Sequence, residues 1–381
     1  MEKKRLANVS HGLAILAATV FLVAPGMAGA RVLDLFASKE FREACDPCDP
    51  CDGGESHDDR HSKADKHAPA GLMGDHVHGQ GEFMVEYKYM NMYMDDNRAG
   101  TTTLSDAAAF GFAGTNNLFT PTQMTMEMHM IHLMYGLTDD VTLYTMVTLT
   151  SLTMDHQRNP NFPLFPANSF FTTHNSGFDD TNFGALWRVY EGDTDVLIVN
   201  LAYSVPTGDL TRRSTAPFAG FSPPLPVSGE LPYPMRRGSG TFDARPGITY
   251  KSYFDAGSFG AQFQTDLPVG RNFDGYSVGE EYRLNAWYSA LAADWLSFSF
   301  RVESLWRENY DGADADLPQP AISTARPDMR GGSWINLGYG AALLWKGHLL
   351  NMEIVQPVYQ DLDGIQLETD WTFFTSWSKG F

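Results

Sequence analysis

The chain is poor in several things that most folds rely on. It has three cysteines, Cys45, Cys48 and Cys51, all in one short stretch. That excludes a disulfide framework holding the fold together. Cations are scarce: 27 Lys and Arg against 46 Asp and Glu give a formal net charge of −19. So acidic a chain repels phosphate and excludes nucleic acid as a partner, while it suits a surface-exposed or cation-handling protein. Past residue 30 no apolar run is long enough for a transmembrane helix. Helix-period stripes are hard to find. There is no G-x-S-x-G elbow, no H-E-x-x-H pair and no Gly-rich phosphate loop. No catalytic residue is assigned and no cofactor is required; the one outward imidazole that a surface hydrolase would use is His129, with Thr125 and Glu127 beside it.

The first 30 residues read as a secretory signal peptide. Lys3, Lys4 and Arg5 form a basic start, "GLAILAATVFLV" is the apolar centre, and "AGA" ending at Ala30 is a cleavage site. The expected location is therefore the bacterial outer membrane, reached by export.

From Glu82 onward the pattern has a period of two, the signature of strands. In "TFDARPGITYK", Phe242, Ala244, Ile248 and Tyr250 oppose Asp243, Arg245 and Lys251. In "EEYRLNAWYSAL", Tyr282, Leu284, Ala286 and Tyr288 oppose Glu281, Arg283 and Asn285. Twelve such segments begin near residues 82, 122, 141, 182, 195, 240, 258, 280, 295, 334, 348 and 369. Short turns such as "GLTDD", "YEGDTD" and "WKGH" alternate with longer loops at 95–121, 155–181, 206–238, 270–279, 308–333 and 360–368. A soluble sandwich has no reason to alternate so regularly; an outer-membrane barrel has short periplasmic turns, long outer loops and an even strand count. The last strand ends on Phe381, with Trp371, Phe373 and Trp377 in one phase, and Lys379 departs from that apolar phase. The expected fold is all-β: an antiparallel up-and-down outer-membrane β-barrel of about twelve strands over 82–381, with lipid as its outer partner. Residues 31–81 are expected to form a flexible periplasmic extension. The polar phase would line the lumen, including Glu86, Lys88, Arg245, Gln264, Arg283, Arg301 and Glu303.

Two features point to soft ligands. Met90, Met92 and Met94 share one phase of the first strand, and Met124, Met126, Met128, Met130 and His132 share one phase of the second. Placing these inside leaves Glu127 and His129 facing outward. Either those two lie above the hydrocarbon band, which is the favoured reading, or a bulge reverses the phase. Residues 31–81 carry Cys45, Cys48 and Cys51 at C-x-x-C-x-x-C spacing, then His57, His61, His67, His76 and His78. Thioethers suit Cu(I) and Ag(I), while thiolates and imidazoles suit copper and Zn(II). A metal ion at either place competes with blander readings. The methionines can fill an irregular lumen or make an adaptable wall for an apolar solute. The cysteines can form a disulfide plus a spare thiol, or belong to an acidic linker. The acidic motifs "DGADAD" and "DLDG" read as ordinary turns.

"HVHGQGEFMVEYKYMNMYMDDNRAGT", "MTMEMHM", "SVPTGD", "LPYPMRRGSGTFDARPGITY" and "YQDLDGIQLETDWTF" resemble a bacterial outer-membrane, transporter-like family related to proteins of the meta-pathway of phenol degradation. The likeness covers roughly residues 67–381. It implies an outer-membrane barrel and a transport role, with an aromatic compound as one cargo; the Cys stretch lies outside it. The reading that joins these features is a channel for a small solute, with a Met/His mouth and a Cys/His segment holding a copper-like ion. Its alternatives are an uptake channel for small aromatic or hydrocarbon compounds and a non-conducting structural barrel.

Overall fold

The computed structural model describes residues 63–112, 116–162, 169–217, 229–319 and 321–381. Among these, eleven long antiparallel strands form one closed sheet: β1 (Phe83–Gly100), β2 (Phe119–Thr138), β3 (Val141–Arg158), β4 (Thr181–Glu191), β5 (Asp195–Val205), β6 (Phe242–Phe254), β7 (Gly257–Val269), β8 (Glu281–Ala293), β9 (Leu296–Arg307), β10 (Gly332–Trp345) and β11 (His348–Gly380). Each pairs with its sequence neighbours, and β11 closes the ring on β1. β11 crosses twice. His348 pairs with Trp345 and Leu362 with Gly332, and then the chain turns back so that Gly380 pairs with Met84. The reversal sits at Gly364, whose φ of +77° suits glycine. Counted as passes the barrel has twelve, and the loop expected at 360–368 is largely strand. At the seam Phe83 and Phe381 exchange both backbone hydrogen bonds, at 3.1 and 2.8 Å.

Alternation fixes the inside and the outside. Trp187, Leu201 and Phe298 lie outward, 50–56% exposed. Thr249, Lys251, Asn285 and Arg301 point inward and are buried. A ring of exposed large apolar side chains around a polar interior is stable only where the outside solvent is hydrocarbon. No described helix is long and apolar enough to cross a membrane. Lys379, the outlier in the last strand, reaches the His348 imidazole, which also accepts a bond from Trp377 Nε1 at 3.2 Å.

β1, β2 and β3 are longer than the sequence suggests, at 18, 20 and 18 residues. A further strand, Phe170–Phe178, continues the sheet on the upper half of β3. Much of what reads as loop at 95–121 and 155–181 is therefore sheet standing above the barrel's apolar belt.

The lumen is not open. Residues 63–81, expected below the barrel, are inside it. Ala64 is fixed to the periplasmic turn by a bond to Asp294 O. The chain then rises into the lumen and returns so that Gly81 bonds Gly136 O. Lumen side chains take up the backbone of this plug. Lys88 Nζ donates to Leu72 O at 2.8 Å, Gln262 Nε2 to Met73 O at 2.8 Å and Asn351 Nδ2 to Ala68 O at 2.7 Å. Lys251 Nζ donates to Lys66 O at 2.7 Å and to the Asp75 carboxylate at 3.0 Å. Glu353 Oε2 accepts from Gly71 N at 2.7 Å. A Cβ at position 71 would lie 2.6 Å from Arg301 Nη2 and 2.7 Å from Glu353 Oε2, so a side chain there would have to displace the ends of that ion pair. Ala68 and Leu72 pack on Trp287, which is fully buried in the lumen.

Gly71→Val is expected to unseat the plug without breaking the barrel. Ion conductance of the variant in planar bilayers should rise several-fold over wild type, while its heat-modifiable mobility on gels stays the same.

Candidate functional site

The register settles the phase of the methionines. Across β1 and β2, Met90 faces Met128, Met92 faces Met126 and Met94 faces Met124. Across β2 and β3, Met124 faces Met154 and His132 faces Met146. Met90, Met124, Met130 and Met154 are buried, on the lumen side, while Ile131 and Tyr135 are exposed outward. The only shifts in the β2–β3 pairing lie at its two ends, at Pro121/Gln123 and Gly136/Thr138, so no bulge reverses the phase between them. Glu127 and His129 therefore do face outward, and both are held. Tyr89 Oη donates to Glu127 at 2.8 Å, and Tyr87 Oη is 2.7 Å from His129 Nδ1. Above this row the outward face turns polar, with Asn91, Ser151, Thr153 and Asp155 in phase, which places Glu127 over the apolar belt.

Above the plug lies a cavity of about 520 Å³, within the range of small-molecule sites. Its walls differ. On the β1–β3 side it is lined by Met90, Met92, Met94, Met124, Met126, Met130 and Met154, with Met73 of the plug and Phe374 beside them. Met90, Met130 and Met146 form one packed cluster with Met73, Met92, Met126 and Met128 around it. The far side, on β8–β10, is lined by Arg283, Arg301, Glu303, Arg307, Trp334 and Asn336. These charges engage one another. Arg301 pairs with Glu353 at 2.7 Å and Glu303 at 2.8 Å, Arg283 with Glu281 at 2.5 Å, and Arg307 with Glu281 at 2.7 Å. Three guanidiniums thus share three carboxylates.

Outer loops cap the cavity. Residues 229–241 dip into the mouth, and Leu231 and Met235 pack on Met124, Leu152 and Met154. Tyr233 meets Tyr276 and Tyr310 from two other loops, with ring centroids 4.8 and 5.1 Å away. Buried Arg236 ties the same three loops, reaching Asp314 at 2.5 Å, Asp274 at 3.1 Å and Glu230 at 3.4 Å.

The lining residues anticipated from sequence are all on inward phases, but they serve the barrel's own pairing rather than an open water path. Arg245 bonds Asp266 at 2.7 Å. Gln264 stands opposite Arg283 and Gly247. Glu86 receives His132 at 3.3 Å and Lys88 at 3.7 Å. Of the anticipated metal ligands, Cys45, Cys48, Cys51, His57 and His61 lie outside the described residues. His67, His76 and His78 belong to the plug, where His76 Nδ1 is 2.8 Å from Asp75. His67, His76 and His132 line a separate space of about 30 Å³, room for about one water. His132 thus sits below the methionine wall and not on it. Among the described residues, the one set of three His, Cys, Asp or Glu groups whose donor atoms converge is Glu230, Asp314 and Asp316. Asp314 and Asp316 come from "DGADAD", and Arg236 already pairs with two of the three. Sequence reasoning missed Arg236 and Arg330, which sit in loops, where period two carries no information; the runs "PYPMRRG" and "RPDMRGG" were the available signal.

A closed antiparallel barrel with an apolar outside, a seated plug and a lined internal cavity has the architecture of a bacterial outer-membrane β-barrel. No family model matches the chain, and no curated protein does. The fold is similar to that of an outer membrane channel from Pseudomonas putida F1, with a TM-score of 0.53 at 12% identity, over 80% of this chain and 97% of that one. The toluene transporter TodX from Pseudomonas putida matches with a TM-score of 0.37 at 10% identity, over 85% of this chain and 93% of that one. The likeness anticipated from sequence holds at the level of the fold.

Arg236→Ala is expected to release the cap. It leaves buried Asp314 without its counter-ion, a loss of about 3–5 kcal/mol for a buried pair. Limited proteolysis should then cut within 206–241 or 308–331 at least ten times faster than in wild type, with the barrel core intact.

Proposed function

We propose that this barrel takes up small apolar or amphipathic organic solutes, aromatic compounds among them, through the cavity between cap and plug. The observation that carries the reading is the thioether wall. Seven strand methionines and Phe374 present a polarizable, adaptable apolar surface inside a lumen whose other faces are charged. Thioethers pack well on aromatic rings and adjust to differing shapes. A twelve-stranded barrel filled by its own side chains and a plug is not built as an aqueous pore, which needs about 16 strands. The fold likeness to an outer membrane channel agrees with a transport role.

A second reading keeps one specific support. The packed cluster around Met90, Met130 and Met146 offers several sulfurs to a soft cation such as Cu(I) or Ag(I). Zn(II), an imidazole and thiolate ion, would belong with the plug histidines and the cysteines instead.

Substituting Met90, Met92, Met126 and Met128 by Leu separates the two. With the protein held in nanodiscs of zwitterionic lipid, equilibrium dialysis should show saturable naphthalene binding, kept within about twofold in the Leu variant. Met92→Asp combined with Met126→Asp should weaken it at least tenfold. Absence of saturable binding to wild type would sink the apolar-solute reading; Ag(I) binding lost in the Leu variant would favour the metal reading.

A further inference from the structure

Arg330 stands apart from the other cations of the cavity. Arg236, Arg283, Arg301 and Arg307 each have a carboxylate at 3.1 Å or less, and Lys88 has Glu86 at 3.7 Å. Arg330 lines the same cavity and is only 6% exposed. Among the described residues no carboxylate lies within ion-pairing distance of it, and its Nε has no hydrogen-bond partner. Its one side-chain bond is a long one, from Nη2 to Ile365 O at 3.3 Å. The backbone, by contrast, is fixed: Asn309 Oδ1 accepts from Arg330 N at 2.7 Å and Gly331 N at 2.8 Å. The guanidinium is thus held at the cavity's outer rim. Burial, with Arg307 nearby, lowers its pKa to about 10 against a partial upward pull from Tyr310 and Asp328. It still carries its charge at neutral pH.

A buried, unpaired cation is costly unless something completes it. The Met wall across the cavity offers nothing to a charge, and the lumen carboxylates are already shared among other arginines. A neutral apolar solute would fill the Met side and leave Arg330 as it is. An inorganic anion would serve Arg330 and leave the Met wall empty.

We infer that the preferred cargo is a small amphipathic organic carboxylate, its apolar body on the Met wall and its carboxylate on Arg330. A planar fork of N–H donors matches a carboxylate bidentately, which makes Arg330 a specificity-determining residue. This rests on the apolar-solute reading above and narrows it.

The test compares 4-methylbenzoate with 4-methylbenzyl alcohol, which share a ring and differ in the charged head. Affinities are measured by isothermal titration on the full chain in zwitterionic nanodiscs. Wild type should bind the carboxylate at least tenfold tighter than the alcohol. Arg330→Met should abolish that difference while leaving the alcohol's affinity within about twofold, and Arg330→Lys should restore part of it, since an ammonium is a point charge without the fork. The wild-type comparison needs no variant to fold. If wild type binds both ligands equally, or the alcohol tighter, the carboxylate inference fails while the apolar-solute reading stands. If Arg330→Met weakens both ligands alike, Arg330 is a structural residue and the inference also fails. If wild type binds neither, both readings fall together.

Discussion

Every peptide group carried into the barrel must find a hydrogen-bond partner there, and the lumen side chains provide them. Over its described residues the plug has almost no regular structure of its own, only one short 3₁₀ helix at Ala64–Lys66 and isolated turns. Its carbonyls and amides are met by Lys88, Lys251, Gln262, Asn351 and Glu353, drawn from β1, β6, β7 and β11. Unsatisfied buried backbone is expensive, so these polar residues cannot be exchanged one by one for apolar filler. The same side chains that make the lumen look like a charged water path in the sequence are committed to holding it shut.

That commitment divides the interior by height. Low in the barrel, polar side chains and plug backbone neutralise each other. Higher up, the wall on β1–β3 becomes thioether while β8–β10 keep their arginines. The two walls lie on opposite sides of the twelve-pass ring. A cavity with one soft apolar side and one cationic side recognises shape loosely and charge firmly. The cap closes it from outside through a knot of three tyrosines and Arg236, so access depends on loop contacts and not on the rigidity of the sheet.

Much of this architecture is legible in the order of the amino acids. Strict alternation and the rhythm of short turns and long loops define a barrel of the right pass number, because lipid and lumen impose a period of two on every strand. Segments such as "TFDARPGITYK" assign their own faces correctly. The second strand is harder. Glu127 and His129 break its apolar phase, and only the bonds to Tyr89 and Tyr87 on the neighbouring strand show how that phase tolerates them. The plug cannot be read at all. Asp75 and Lys251 are 176 residues apart, and a polar segment ahead of a barrel looks the same whether it hangs below or folds inside. Arg330 is invisible for a related reason: what distinguishes it is the absence of a partner, which exists only in three dimensions.

The seam between β1 and the end of β11 carries one more consequence. Met84 pairs with Gly380, so the first strand waits for nearly the whole chain before its second edge is covered. Contacts of such long sequence separation form slowly, and an uncovered strand edge recruits other edges. During assembly the half-built sheet is an open ribbon with two sticky margins. The plug, joined directly to β1, lies at one of them. Ring closure is then an encounter between the chain's two ends that also encloses the plug, so that a chain lacking its last strand would lose both its wall and its stopper.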